Sequence, residues 1–396
     1  MTSGSHRARS PKVLHVTTSD SSLDLLLRPQ LEAIQAAGYE VVTASAPGRY
    51  VAAVEASGIR HIPLHHATRS MDVKRDAAVV REFFGILRSE RPDIVHTHNP
   101  KPGWFGRVTS RLAGVPVVVN TVHGLYATAS DPRYKRYIVY SLERAAAAFS
   151  DLELVQSSED VDVLRKLHVP DDRLVTLGNG VDLNRFDVPD PAVRQAARAA
   201  LGIADDEIAV GVVGRLVWEK GLREVFEASR RLPTRVPGLR FLVAGPLDPE
   251  KADGLLGPDL DQITRQSGVE FLGERTDIES VYDALDVYLL ASHREGFPRS
   301  AMEAAASGVP VVASNIRGCR QVVEHGVTGL LFGVGRVGEL CDAVAKLSLD
   351  QSRRERMSKE ARRKAEADFD QDRVIGTVLD AYDRLLAAKG IPAAQG

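Results

Sequence analysis

The sequence predicts an α/β protein of two doubly wound domains, each a parallel sheet with helices on both faces. Short β-branched runs alternate with longer segments of helical period, which is the rhythm of βαβ units. The runs are mostly continuous and apolar, as strands are when helices cover both sheet faces. At 396 residues the chain exceeds what one hydrophobic core usually organises, so two domains are expected.

The first series opens with KVLHVTT (Lys12 to Thr18), continues through the helical pattern LRPQLEAIQAAG and returns as YEVVTAS (Tyr39 to Ser45). Val79, Val80, Phe83, Phe84, Ile86 and Leu87 then follow the 3.6-residue period of a helix. DIVHTH (Asp93 to His98) and PVVVN (Pro116 to Asn120) are strands, followed by a helix near Tyr134 to Phe149 and the strand LELVQS (Leu152 to Ser157). Ser157 or Ser158 caps the next helix. From Pro189 a Pro-started, Ala- and Arg-rich segment reads as the connection plus one helix. The second series has strands at Glu207 to Gly214, Arg240 to Gly245, Val269 to Gly273, Asp286 to Ser292 and Pro310 to Ser314. The tail from Ser352 to Lys389 reads as two helices broken around Phe369 to Gln371. The expected bounds are a disordered polar tail at 1–11, domains at 12–187 and 188–370, and a last helix at 371–390.

Composition narrows the function. Hydrophobic residues at 44% and charged residues at 26% are globular proportions. Lys+Arg number 51 against 53 Asp+Glu, so there is no global basic field and nucleic acid is not expected as a partner. The half up to Arg185 is mildly basic and the rest mildly acidic, a weak signal of an anionic acceptor or membrane surface against the commoner solvated face. The only cysteines, Cys319 and Cys341, cannot form a disulfide framework, and a reducing cytoplasm is the simpler reading. No run approaches the roughly 18 apolar residues of a spanning helix, and the charged opening segment has no apolar stretch behind it to make a secretory signal.

The most informative segment is Ser292 to Phe332, SHREGFPRSAMEAAASGVPVVASNIRGCRQVVEHGVTGLLF. It leaves a buried strand, turns through Gly296 and Pro298 and enters a helix near Ser300, so it lies at the carboxyl edge of a parallel sheet, where ligands bind. The turn and helix start offer backbone N–H groups to phosphate. Glu295 and Glu303 can grip different parts of one ligand through its hydroxyls. An isolated pair so spaced is more often a solvated helix acid and a helix-start acid; the Gly-Phe-Pro turn and the following strand favour the site. In GRLVWEKG, Arg215 and Lys220 follow the first strand of the second series, two cations able to stabilise charge on a leaving diphosphate without metal; two surface cations are the bland alternative. His123, in Asn120 to Gly124 (NTVHG), ends a strand and can hold a sugar hydroxyl or stabilise a cationic transition state, although a lone histidine is more often structural. His96 and His98 share a strand face and are half of a metal site at most, with no further ligands at suitable spacing. The first strand-turn lacks glycine, which disfavours a dinucleotide enzyme.

From about Lys12 to Leu386 the chain resembles the retaining glycosyltransferases of family four. The landmarks are RPDIVHTHNPKPG, NTVHG, LGNGVDLNRF, GRLVWEKG, HREGFPRSAMEAAASGVPVVAS and EHGVTGLLF, in that order. The resemblance implies the GT-B fold, two facing Rossmann-like domains with a cleft between them, and a last helix crossing back to the first, acceptor-binding domain. It implies that Glu303 holds the nucleotide ribose, that Glu295 with Gly296 and Phe297 holds the donor sugar, that Arg215 and Lys220 bind the diphosphate, and that His123 lines the sugar near its anomeric carbon. Pro298, Arg299 and Ser300 complete the nucleotide-side turn, and Asn99, Lys101 and Asn179 are acceptor-side candidates. Transfer would proceed with retention, by front-face attack without a protein nucleophile. No cofactor and no metal are expected; the partners implied are a nucleotide diphosphate sugar, with UDP favoured by family habit, and a glycan or polyprenyl-linked acceptor. Within the family, SNIRGCRQVVEHGVTG is similar to bacterial enzymes that extend lipid-linked oligosaccharides for surface polysaccharides. One departure is TTSDSSLDLLLRPQL where many relatives have a Gly-rich loop after the first strand. Rival readings are a GT-B nucleotide-sugar epimerase and a non-catalytic sugar-nucleotide-binding subunit. Arg133, Lys135 and Arg136 beside Tyr134 and Tyr137 form either an exposed helix face or a peripheral membrane contact at the cytoplasmic side.

Overall fold

The computed structural model describes residues 9–68, 72–98, 100–127, 131–248, 251, 253–255 and 257–394. Most of the polar tail expected at 1–11 lies outside them. The chain divides into two compact units: residues up to Leu177 together with those from Arg373 onward, and Gly178–Asp372.

Among the described residues the first unit holds a seven-stranded parallel sheet. Its strands are β1 (Lys12–Ser19), β2 (Glu40–Ala46), β3 (Arg60–Pro63), β4 (Ile94–His98), β5 (Val117–Val122), β6 (Leu152–Val155) and β7 (Leu174–Thr176), in the order β3-β2-β1-β4-β5-β6-β7. The second unit has six parallel strands: β8 (Ile208–Val213), β9 (Leu239–Ala244), β10 (Glu270–Gly273), β11 (Val287–Leu290), β12 (Val311–Ser314) and β13 (Gly329–Phe332), in the order β10-β9-β8-β11-β12-β13. Both sheets are doubly wound, and the strand order reverses at β1/β4 and at β8/β11. The alternation of side chains across each sheet fills two cores. Val210, Val212, Val243 and Leu289 pack on one face of the second sheet, and Ala209, Leu242, Leu290 and Ala313 on the other. β3, β7 and β13 do not stand out in the sequence as separate strands: RHIP carries a charge and a proline, LVT has only three residues, and GLLF closes the long segment from Ser292 to Phe332.

The division falls after Leu177 and not at 187/188, and backbone pairing explains why. Val181 N–H donates to the Phe369 carbonyl at 2.9 Å and Gln371 N–H to the Val181 carbonyl at 3.3 Å, stitching the LGNGV segment to the second unit. The two tail helices are Gln351–Asp368 and Gln371–Ala388. The last helix buries Val378, Ala381, Tyr382 and Leu386, spaced for one helical face, in the first unit's core with Val13, Ile34 and Val117. Ser157 stands at the N-cap of the helix Ser158–Lys166, yet its hydroxyl makes no capping bond among the described residues. Cys319 and Cys341 are free and buried, and burial raises both thiol pKa values.

Candidate active site

In the second unit the switch point lies between β8 and β11, and the loops leaving these strands carry Arg215 to Gly221 and Ser292 to Pro298. Gly221 allows them to meet. Its φ is 74°, and a Cβ there would lie 2.0 Å from the Ala291 carbonyl oxygen, so only glycine permits this approach to the end of β11. Beside it, Lys220 Nζ donates to Glu295 Oε1 at 2.6 Å, and Ser292 Oγ donates to the same oxygen at 2.7 Å. Glu295 Oε2 takes no hydrogen bond among the described residues, which leaves it available to a ligand hydroxyl. Gly318 supports the turn from behind: a Cβ would come within 2.6 Å of the Gly296 carbonyl oxygen and 2.7 Å of that of Glu295.

Glu303 stands in the helix Arg299–Ala306 that the turn enters, with Pro298 at its N-cap position. Tyr282 O–H donates to Glu303 Oε2 at 2.9 Å, and Arg299 Nε donates to Oε1 at 3.1 Å. Burial, reinforced by the Glu303 charge, lifts the Tyr282 phenol well above its usual pKa, so it stays a neutral donor. Tyr288 Oη is 2.7 Å from Ser300 Oγ and 3.2 Å from the Val213 carbonyl, tying the first turn of the helix to the end of β8. Phe297 packs edge-on against Phe369, with centroids 5.9 Å apart, and Asn179 Nδ2 donates to the Phe297 carbonyl at 3.4 Å. Ser292, Tyr282, Tyr288 and Gly318 were missed by sequence reasoning. Tyr282 lies in the helix Ile278–Ala284, Tyr288 within β11, Ser292 just after it and Gly318 in the helix Arg317–Val322, so no common spacing marks them.

Arg215 and Lys220 do not stand as two open cations. Arg215 reaches Asp248 at 2.5 Å, and Lys220 holds Glu295, so each already has a carboxylate partner. Among the acceptor-side candidates, Asn99 lies outside the described residues. Lys101 is buried, with Nζ 2.5 Å from Asp76 Oδ1 and 3.2 Å from the Thr68 carbonyl, which makes it a structural anchor. Asn179 belongs to the second unit, where it holds the Phe297 turn.

In the first unit His123 follows β5 and lines a cavity of about 180 Å³ with Asn120, Gly124, Arg107 and Glu143. Burial lowers its pKa to about 4, so the ring is neutral near pH 7. His98 and His96 on β4 lie beside it, and the register of β1 against β4 sets His15 opposite His96. His15, His96 and His98 thus offer nitrogen atoms all within 4.8 Å of one another. No third ligand for His96 and His98 stands out in the sequence, because the pairing that brings His15 beside them spans about 80 residues and leaves no local pattern. Arg107, fully buried, donates to Glu153 Oε1 at 2.6 Å and to Glu143 Oε1 at 2.5 Å.

Residues 30–185 match the model of Glycosyltransferase Family 4, and residues 193–364 that of Glycosyl transferases group 1. The chain is 30% identical, over 81% of its length and 83% of the relative's, to the UDP-Gal:alpha-D-GlcNAc-diphosphoundecaprenol alpha-1,3-galactosyltransferase of Escherichia coli. It is 24% identical, over 96% and 98% of the two chains, to the capsular polysaccharide biosynthesis glycosyltransferase CapM of Staphylococcus aureus. The crystal structure of Anabaena HepE in complex with UDP and glucose superposes with a TM-score of 0.78 at 21% identity, covering 94% of this chain and 100% of that one.

Proposed function

The chain belongs to glycosyltransferase family four, with two Rossmann-like domains of the GT-B type, and from that premise we propose that it moves a hexose or N-acetylhexosamine from UDP to a lipid-linked or glycan acceptor of surface polysaccharide, with retention and without metal. The observation that carries this reading is the convergence of Lys220, Glu295 and Glu303 at the β8/β11 switch point. The relative acting with UDP-galactose on a diphosphoundecaprenol-linked sugar supports both the donor and the acceptor class.

In this reading Glu303 accepts from the ribose hydroxyls, and Glu295 Oε2 from a hydroxyl of the donor sugar. Lys220 and Arg215 turn from their carboxylates to the diphosphate, where fixed cations stabilise the charge that grows as it leaves. The bond from anomeric carbon to diphosphate oxygen breaks, the acceptor oxygen bonds to that carbon on the same face, and the acceptor proton passes to the departing phosphate. His123 holds a sugar hydroxyl.

The same reading sets the chain in the cytoplasm against the inner face of the membrane. No helix among the described residues is long and apolar enough to cross a membrane. The helix Arg133–Ala147 instead exposes Tyr134, Tyr137 and Ile138 beside Arg133 and Lys135, the mixture that suits an anionic interface.

Thermal-shift binding of UDP-, GDP- and dTDP-sugars, in EDTA and with Mg²⁺, tests the donor reading. A selective UDP-sugar shift that survives EDTA and disappears in Glu303→Ala is expected. A shift seen with no sugar nucleotide, or only with Mg²⁺, overturns it.

A further inference from the structure

His123 is the end of a hydrogen-bonded chain. Its Nε2 lies 3.1 Å from His98 Nδ1, and His98 Nε2 lies 3.0 Å from His15 Nδ1. His15 Nε2 meets Tyr382 Oη at 3.3 Å, Tyr382 Oη meets His96 Nδ1 at 2.5 Å, and His96 Nε2 meets Thr121 Oγ1 at 2.7 Å. The groups come from β1, β4, β5 and the last helix, Gln371–Ala388. His15, His96, His98 and Tyr382 are at most 1% exposed.

Burial dictates how protons are arranged along this chain. It holds the four imidazoles neutral, with His15 lowered to about 3 and His96 and His98 well below their usual value. A neutral imidazole has one donor and one acceptor nitrogen, and the buried Tyr382 proton finds a partner only if the phenol accepts from one histidine and donates to the other, so the bonds point the same way. If they pointed away from His123, His96 would donate to Thr121, whose hydroxyl proton would then have no acceptor among the described residues. A buried donor without a partner is costly. If they point toward His123, Thr121 donates to His96, His96 to Tyr382, Tyr382 to His15, His15 to His98 and His98 to His123 Nε2. Every link is then satisfied, and the one group left over is the His123 Nδ1–H, where the opposite direction leaves two, the Thr121 proton and the Nδ1 lone pair. Gln156 approaches the ring and opposes the effect of burial on its pKa, yet Nδ1 meets no partner with hydrogen-bond geometry among the described residues.

We propose that Thr121, His96, Tyr382, His15 and His98 are positioning residues that fix His123 as the Nδ1–H tautomer, so that its free nitrogen donates to an oxygen of the sugar ligand. The ligand rests on the function proposed above; the tautomer does not. The chain also argues against a metal at the His15, His96 and His98 cluster. Each acceptor nitrogen there already receives a proton, from Tyr382, Thr121 and His15 respectively, and an ion would have to displace it.

Long-range proton–nitrogen NMR of the full chain with ¹⁵N-histidine, at pH 7.5 in EDTA, reads the tautomers directly. The expected spectrum has His123 protonated on Nδ1 and unprotonated on Nε2; the reverse, or a mixture, overturns the proposal. In Tyr382→Phe, which keeps the apolar packing of the helix, His123 should become a mixture, with kcat lower by roughly tenfold and the melting temperature lowered, because the buried nitrogens of His96 and His15 lose their partner. An unaltered tautomer in that variant makes the chain merely structural and overturns the proposal. One equivalent of Zn²⁺ should leave the histidine signals in place; coordination shifts at His15, His96 and His98 would overturn it in favour of a metal site. Wild-type transfer by His123→Ala, with the expected tautomer intact, would sink the role of His123 in sugar binding and leave the chain standing.

Discussion

Lys220 Nζ lies 2.6 Å from Glu295 Oε1, joining the loop after β8 to the loop after β11 across the point where the strand order reverses. Lys220→Ala should reduce kcat/KM by roughly 10²- to 10³-fold, the usual loss when one stabiliser of transition-state charge is removed. Steady-state kinetics checks this. A value within twofold of wild type would make the pair an element of loop structure alone.

Gly221→Ala tests the close approach that makes the pair. The added Cβ must occupy space held by the Ala291 carbonyl, and the residue must keep a φ of 74°. Backbone offers no flexible end to move aside, so a loss of about 1–3 kcal/mol in stability is expected, with transfer activity falling further as Lys220 is displaced. Urea unfolding and activity assays read the two effects separately.

The buried histidines predict acid sensitivity. Burial depresses the folded pKa of His15 to about 3 and those of His96 and His98 well below normal, against about 6.5 in the unfolded chain. Below pH 6.5 the unfolded state therefore binds more protons, and stability falls with pH by about 1.4 kcal/mol per unit for each histidine. Glu153, whose pKa burial raises, acts in the opposite sense and offsets part of this. The melting temperature should drop steeply from pH 6.5 to 5, and His15→Gln should flatten the slope. A flat profile in the wild type would mean that the rings are hydrated.

Arg107 is the only positive partner recorded for the buried carboxylates Glu143 and Glu153 among the described residues. Arg107→Ala leaves both without it, and a loss of about 3–5 kcal/mol is expected. Adding Glu143→Gln and Glu153→Gln should restore part of that loss. Denaturant unfolding of the three variants checks the order.

Tyr134→Ser with Tyr137→Ser removes the two most exposed aromatic rings of the helix Arg133–Ala147, 71% and 76% exposed. Co-sedimentation with phosphatidylglycerol vesicles should fall, most clearly at low salt, where the basic side chains contribute. Equal binding by variant and wild type would assign this helix to solvent.

The sequence by itself determined the doubly wound architecture, most of the strands and the turn that carries Glu295, Gly296 and Phe297 into the helix of Glu303. These are local properties: continuous apolar runs, helical period, and a Gly-Phe-Pro turn between a strand and a helix. Tertiary structure decided which distant groups meet. Lys220 finds Glu295 because β8 and β11 are neighbours, and Arg215 is drawn to Asp248 on another loop. Tyr382 reaches His96 across 286 residues because the last helix packs on the first unit. Strand order and helix docking are set by the summed burial of whole faces, so no short segment encodes them; the partners of His123 became visible only once β1, β4, β5 and that helix lay together.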